Sequence, residues 1–452
     1  MAEERAKFGS KIGVILATAG SAVGLGNVWR FPYMTGENGG AAYIFIYIAC
    51  VIVLGIPCMI AEFLIGRHGA SNTARAYTRL ANGSKWKWIG YLEVLTGFLI
   101  TGYYAVVSGW CLNYVYASIM GELKGDPNYV KDYFVAFSTD PIRPIFWTVV
   151  IFLITHYIIV HGVRNGIEKA SKLMMPTLFI LLLIIVVAAC LLPGASAGIT
   201  FLLKPDFSKV TGDVFLNALG QCFYSMSIGM GCLCTYASYF NRKTNLTTSA
   251  IQIGFIDLFV AILAGLMIFP AAFSVGISPD SGPSLIFITL PNVFNQAFSG
   301  APVLGWIIAL LFYALLSLAA LTSLISLHEV NTAFFYEELH ISRKAGAWIV
   351  TLSCAVIGAV CSLSIGQKDT LSLFGKDLFD LFDFVTGQLM LPIGGMLMCV
   401  FVGWVVPQQI VKDELTNRGT LRYHCYSAFV FSMRYVCPLG ILAIMLHQFN
   451  LI

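Results

Sequence analysis

Charge is what this sequence has least of. Of its 452 residues only 11% are Asp, Glu, Lys or Arg, against 58% hydrophobic, and the mean hydropathy is +0.80. So little charge cannot cover a water-soluble globule of this length, and the composition is that of an integral membrane protein. The formal net charge of +4 is too small for a polyanion-binding face, so no nucleic-acid partner is expected. Ligand spacing is missing among the seven His, and no nucleophile-and-base motif stands out, which argues against an enzyme. The twelve Cys also lack metal-ligand spacing and a disulfide framework; those on apolar runs read as buried small apolar residues.

What is present is a series of apolar runs. Eleven approach the roughly 20 residues that cross a bilayer, at about 12–34, 41–66, 88–118, 143–161, 167–193, 211–237, 250–275, 303–336, 345–364, 379–405 and 424–448. The reading is an all-α polytopic membrane protein with eleven transmembrane helices, forming one transmembrane domain over 1–452. Lys and Arg concentrate at the amino terminus and in alternate loops, among them Arg75, Arg79, Lys85, Lys87, Arg242 and Arg343. Positive loops stay inside, so the amino terminus is expected in the cytoplasm and the carboxyl terminus outside.

Two spans are marked for interruption. From Ala19 to Tyr33 the first reads AGSAVGLGNVWRFPY, with Gly20, Gly24 and Gly26 close together and then Asn27 and Arg30 near membrane depth. Glycine costs about 1 kcal/mol against alanine inside a helix, so the cluster predicts a helix that opens. Opened backbone at membrane depth is tolerated where it lines a cavity or binds an ion. The sixth span carries Phe223, Tyr224, Ser225, Ser227, Gly229, Met230 and Gly231 at what should be the bilayer middle. Interrupted helices at corresponding places point to a midplane binding site. Their spacing suggests a five-plus-five inverted repeat, about 12–193 and 211–405, with 424–448 as an extra helix.

Other polar residues admit two readings each. Glu62, ending the second span, is either interfacial or a carboxylate serving the N–H groups of a neighbouring broken helix. The Tyr104 hydroxyl bonds a nearby carbonyl or waits for a functional partner. Gly166 and Pro176 mark either an ordinary helix start or an end that unwinds to open a water path. Asp257, a lone carboxylate in an apolar span, is either functional, the default for such a group, or a protonated structural residue. The hydroxyls of Thr322 and Ser323 serve packing or ligation. Asp380 and Asp383 are available partners for Arg30.

The first-span motif, together with ENGGAAY at 37–43, Gly166-x9-Pro176 and TYASY at 235–239, resembles the neurotransmitter:sodium symporter family, and its bacterial members in particular. The resemblance covers nearly the full length. It implies a leucine-transporter-like fold with broken helices 1 and 6 in a multi-pass protein of the bacterial inner membrane. The implied activity is sodium-coupled symport of hydrophobic L-amino acids, aliphatic and aromatic, by alternating access.

Residue by residue, the resemblance places a first sodium ion at Ala22, Asn27, Ser225 and Asp257, and a second at Gly20, Val23, Ala319, Thr322 and Ser323. The amino acid would lie against Ala22, Gly24, Leu25, Gly26, Ile100, Tyr104, Phe223, Tyr224, Ser225, Ser227, Met230, Ser323 and Leu327. Monoamine carriers of the family have aspartate in place of Gly24, so a substrate bringing its own carboxylate is implied here. Asp257 stands where asparagine is often found, which implies that no chloride is required. Arg30 with Asp383 would close the outside, with Phe223 and Tyr104 as a lid. Arg5 with Glu337, supported by Ser238 and Tyr239, would close the inside, and Gly166 with Pro176 would unwind helix 5. Phe8 replaces a tryptophan, and Glu329 a glutamine found in some relatives.

Overall fold

The computed structural model describes residues 6–276, 285–367, 370–423, 425–449 and 451. In chain order its helices are α1 (Lys11–Ala22), α2 (Gly26–Glu37), α3 (Ala41–Gly69), α4 (Thr73–Ala81), α5 (Lys85–Met120), α6 (Pro127–Ser138), α7 (Arg143–Val160), α8 (Val163–Cys190), α9 (Ala195–Leu203), α10 (Gly212–Ser225), α11 (Cys232–Ala237), α12 (Leu246–Ser274), α13 (Thr289–Ala297), α14 (Pro302–Glu338), α15 (Arg343–Gly366), α16 (Leu378–Val405), α17 (Gln408–Leu415) and α18 (Tyr426–Gln448). Among the described residues nine of these are long and apolar enough to cross a membrane, and α1 with α2 makes a tenth span bent by 54°. The sixth of the eleven spans read from sequence is two short helices, α10 and α11, with a gap between them.

Local chemistry sets the helix ends. The Ser10 hydroxyl accepts from Gly13 N at 3.0 Å to start α1, and Asn72, Asn245 and Ser342 cap α4, α12 and α15 in the same way. α1 stops where Val23 turns extended, with φ −74° and ψ 103°. α10 stops because Ser227, Gly229 and Gly231 have φ of +54°, +83° and +74°, a left-handed run that no helix continues through. A Cβ on Gly229 would also stand 2.7 Å from the Leu391 carbonyl oxygen. Glu62 serves this gap: Gly229 N donates to it at 2.7 Å and Cys234 N at 3.2 Å. The broken-helix reading of Glu62 is therefore the one the structure adopts.

Helix α8 is wound throughout, Pro176 included, and begins in a wide π turn over Val163–Glu168. Gly166 allows a close crossing, since a Cβ there would lie 2.0 Å from the Ile158 carbonyl oxygen. Glu168 fastens the turn to the amino-terminal segment by accepting from Gly9 N at 2.6 Å and the Ser10 hydroxyl at 2.8 Å. α1 packs against α8, α12 and α14, which puts both breaks at the centre of the bundle. All twelve Cys are free. Cys58, Cys399 and Cys437 nevertheless meet, with their sulfurs within 4.8 Å of one another, a convergence of three helices that sequence spacing did not announce.

At the end of α3, outside the apolar core, Glu414 of α17 accepts from Arg67 and Arg242, both at 2.6 Å, and faces His68 at 3.2 Å. Burial pushes the Glu414 carboxyl up, but the His68 hydrogen bond and the two guanidinium groups outweigh it and hold it at about 2. Its ionised form thus contributes fully above the ordinary value of 4.5, and the contribution is lost as pH falls toward 2. Glu414→Ala, which strands a buried Arg67, should cost roughly 3–5 kcal/mol. Thermal unfolding in detergent checks this, and a wild-type unfolding midpoint would refute it.

A candidate binding cavity between two helix breaks

The buried carboxylate of Asp257 organises one side of the breaks. Asn27 Nδ2 donates to its Oδ1 at 2.8 Å, and the Ser225 hydroxyl lies 3.1 and 3.2 Å from its two oxygens. Tyr47 donates to Oδ2 at 3.4 Å. Asn27 Oδ1 in turn accepts from Gly24 N at 3.0 Å, which joins the cluster to the opened backbone of the first span. Asp257 and Asn27 are fully buried, and no ion pair reaches Asp257 among the described residues. Carboxylate, amide and hydroxyl oxygens are the hard donors a sodium ion prefers, and a buried anion without a cationic side chain suits a cation as cargo.

On the opposite face of α1, the Thr322 hydroxyl bonds the Val23 carbonyl at 3.3 Å and the Ala319 carbonyl at 2.9 Å. Gly20 lies on the same seam, in a position where a Cβ would stand 3.3 Å from the Met175 sulfur and 3.4 Å from Thr322 Cβ. Ser323 reaches the Ser21 carbonyl at 3.5 Å. The residues expected around a second ion therefore share one seam between α1 and α14.

Between these clusters lies a cavity of about 50 Å³. Every residue expected against the amino acid lines it except Phe223, which faces a larger outer cavity of about 310 Å³. Ser21, Tyr103 and Ser326 line the inner cavity as well and were not anticipated. Helical spacing could have flagged Ser326, one turn beyond Ser323, whereas Ser21 enters only because α1 ends beside it. The Tyr104 hydroxyl is buried beside the Ser323 hydroxyl and the Leu25 backbone, and makes no well-formed hydrogen bond among the described residues. It faces Gly24, whose missing Cβ would stand 3.3 Å from it and 2.4 Å from the Ser323 hydroxyl.

Outside the cavity, Arg30 lies over the Tyr224 ring at 4.5 Å from its centroid, and Asp383 accepts from Tyr103 at 3.2 Å. Both line the outer cavity without a direct ion pair between them among the described residues. On the other side, Arg5 lies outside the described residues. Glu337 accepts from Asn72 N at 2.8 Å and from its Nδ2 at 3.0 Å. The Ser238 hydroxyl turns back to the Thr235 carbonyl. Phe8 packs edge-on to Tyr236 and Tyr239 and donates its N–H to the Tyr239 carbonyl at 3.2 Å.

This side also holds a pair that sequence reading missed. The Tyr239 hydroxyl donates to Glu329 at 2.6 Å, and the two Arg343 Nη nitrogens bond the same carboxylate, one at 2.9 Å. Arg343 Nε also donates to the Ile159 carbonyl at 3.0 Å, so one carboxylate ties α7, α14, α15 and the segment after α11 together. Glu329→Gln should loosen this tie and speed amide hydrogen exchange over residues 6–16 severalfold. Unchanged exchange would show that the tie does not hold that segment.

Two broken helices about a cavity, flanked by oxygen-donor clusters and by polar groups on both sides, define a secondary transporter of the membrane and not an enzyme. The chain belongs to the sodium:neurotransmitter symporter family, whose model matches residues 5–130 and 128–451. It is 34% identical to the uncharacterized sodium-dependent transporter YhdH of Bacillus subtilis, covering 100% of both chains. It is 36% identical to an uncharacterized sodium-dependent transporter of Haemophilus influenzae, covering 99% of this chain and 98% of that one. The crystal structure of MhsT in complex with L-phenylalanine matches with a TM-score of 0.88 and 38% identity, over 98% of this chain and 99% of that one. The fold is thus the leucine-transporter-like one, and the chain is a sodium-dependent, multi-pass membrane transporter.

Proposed function

We propose that this protein imports hydrophobic L-amino acids, aliphatic and aromatic, together with two sodium ions and without a chloride requirement. The observation that carries the reading is the buried Tyr104 hydroxyl, which makes no well-formed hydrogen bond among the described residues and lies across Gly24 in a cavity between the breaks. A substrate carboxylate supplies the missing partner, and the absent side chain at Gly24 leaves room for it. The cavity wall contains no formal charge, which suits an apolar side chain. MhsT, solved with L-phenylalanine, supports the same substrate class.

The first sodium ion would be held by Asn27, Ser225, Asp257 and the Ala22 carbonyl, the second by Gly20, Val23, Ala319, Thr322 and Ser323. The Asp257 carboxylate takes the place of chloride as the fixed negative charge. Sodium and substrate drive alternating access because they bind the outward-closed arrangement more tightly, the only way a ligand shifts such an equilibrium. Arg30 and Asp383 close the outer side. Arg5, Glu337, Ser238 and Tyr239 close the inner side, which faces the cytoplasm with the amino terminus, while the carboxyl terminus is external. Unwinding of α8 between Gly166 and Pro176 would open the inner path as the two repeats, about 12–193 and 211–405, move against each other.

Uptake of radiolabelled tryptophan, leucine and valine into proteoliposomes under an inward sodium gradient tests this reading. Accumulation that needs sodium and ignores chloride is expected. Binding without accumulation of any of them would make the protein an amino acid sensor on a transporter fold.

A further inference from the structure

We propose that Glu93 is a proton-binding site that clamps the gap between α10 and α11 by donating to the Gly229 carbonyl. Glu93, on α5, is fully buried. Its Oε1 accepts from the Tyr77 hydroxyl at 2.6 Å, while its Oε2 is buried with no hydrogen-bond partner among the described residues. The Gly229 carbonyl, in the left-handed gap, likewise accepts no hydrogen bond among the described residues. The two meet at Gly394 of α16: a Cβ placed there would lie 3.8 Å from Glu93 Cγ and 3.3 Å from the Gly229 oxygen. An acid with a free oxygen and a peptide with a free carbonyl therefore both border the same glycine of α16.

The groups facing Glu93 supply no positive charge. Glu62 faces it from α3, Tyr77 from α4 and Cys232 from α11, and α16 presents Gly394. No Lys, Arg or His forms an ion pair with Glu62 or Glu93 among the described residues. Glu62 is already the acceptor for two N–H groups of the gap and is well served as an anion. A second anion beside it, with one oxygen unsatisfied, is the arrangement that buried carboxyl pairs avoid by sharing a proton. Bound on Oε2, that proton turns a stranded acceptor into a donor. Glu62 then holds the Gly229 N–H while Glu93 holds its C=O, and the peptide at the centre of the gap is fixed from both sides.

The consequence is reciprocal. Acid favours the clamped gap, and any movement that separates Gly229 from Glu93 releases a proton to water at the end of α5 that carries Lys85 and Lys87. This effect on transport rests on the reading given under Proposed function; the proton site itself does not.

Infrared spectroscopy of the purified full-length protein tests the site without transport. The carbonyl band of a protonated buried carboxylic acid is expected in the wild type, absent in Glu93→Gln, and shifted in Tyr77→Phe, which keeps the acid but removes the bond to Oε1. A spectrum identical in all three, or a Glu93 that is a hydrated carboxylate without such a band, overturns the proposal. In proteoliposomes, acidifying the side next to Lys85 should change sodium-driven uptake about fivefold, the low end of ordinary coupling, and Glu93→Gln should abolish that change while keeping sodium-driven uptake. Wild-type uptake that proceeds under sodium but ignores pH overturns the coupling, whereas absent uptake counts against the transport reading alone.

Discussion

Gly24→Asp should abolish amino acid binding, and Gly24→Ala should weaken it about fivefold. The first atom of any side chain at this position would stand 2.4 Å from the Ser323 hydroxyl and 3.3 Å from the Tyr104 hydroxyl. Neither distance is tolerable without movement. The Ser323 hydroxyl can swing away from a methyl group, but in doing so it leaves its 3.5 Å contact with the Ser21 carbonyl, and a hydrogen bond of this kind is worth about 1 kcal/mol. Aspartate adds a carboxylate inside a cavity of about 50 Å³ and sets it beside the Tyr104 hydroxyl, where the proposed substrate carboxylate would lie. Two carboxylates at one buried spot repel, and the fixed one wins because it cannot leave. Equilibrium binding of labelled leucine and phenylalanine in saturating sodium checks both variants. Full affinity in Gly24→Asp would place the substrate carboxylate elsewhere.

Asp257→Asn should lower sodium affinity by tenfold or more, and chloride should restore part of the loss. In the wild type the Asp257 carboxylate accepts from Asn27, Ser225 and Tyr47 at once. An amide at this position accepts through one oxygen only and turns its NH2 toward a donor. Hydrogen bonds to a charged acceptor are worth about 1.5–3 kcal/mol each, roughly ten- to a hundredfold in affinity. The lost charge matters as much, because the ion would enter a buried site with no anion facing it. A diffusible chloride ion can replace that charge in solution but not the geometry, so rescue should be partial. Sodium titrations of substrate binding, with chloride or gluconate as the counter-ion, measure both effects. Identical sodium dependence in wild type and variant would remove Asp257 from the ion site.

The local grammar of the chain was enough to locate the breaks. Glycine clustered in an apolar run announces a helix that opens, and α1 does end at Ala22, just before Gly24. Asp257 stood out because a carboxylate in a bilayer needs a reason, and the residues matched by family resemblance for the cavity converge on it with one exception, Phe223, displaced to the outer cavity. Glu62 was ambiguous in sequence because its donors belong to a helix gap more than 160 positions away. Arg343 was invisible because a basic residue at a helix start is ordinary until Glu329 and Tyr239 are brought to it. Arg30 was paired with Asp383 by charge, yet it lies on the Tyr224 ring, a contact that charge counting does not foresee.

The sequence by itself determined the membrane class, the two interruptions and the residue types able to hold an ion, because apolar length, glycine clustering and intramembrane charge are local properties set by the cost of exposing backbone or charge to lipid. Tertiary structure alone decided which orphaned group meets which. Whether Tyr104 and Glu93 Oε2 find partners, and whether Gly394 leaves a path between Glu93 and Gly229, depends on how helices distant in sequence are packed. A buried polar atom acquires its meaning from the neighbours that the fold supplies.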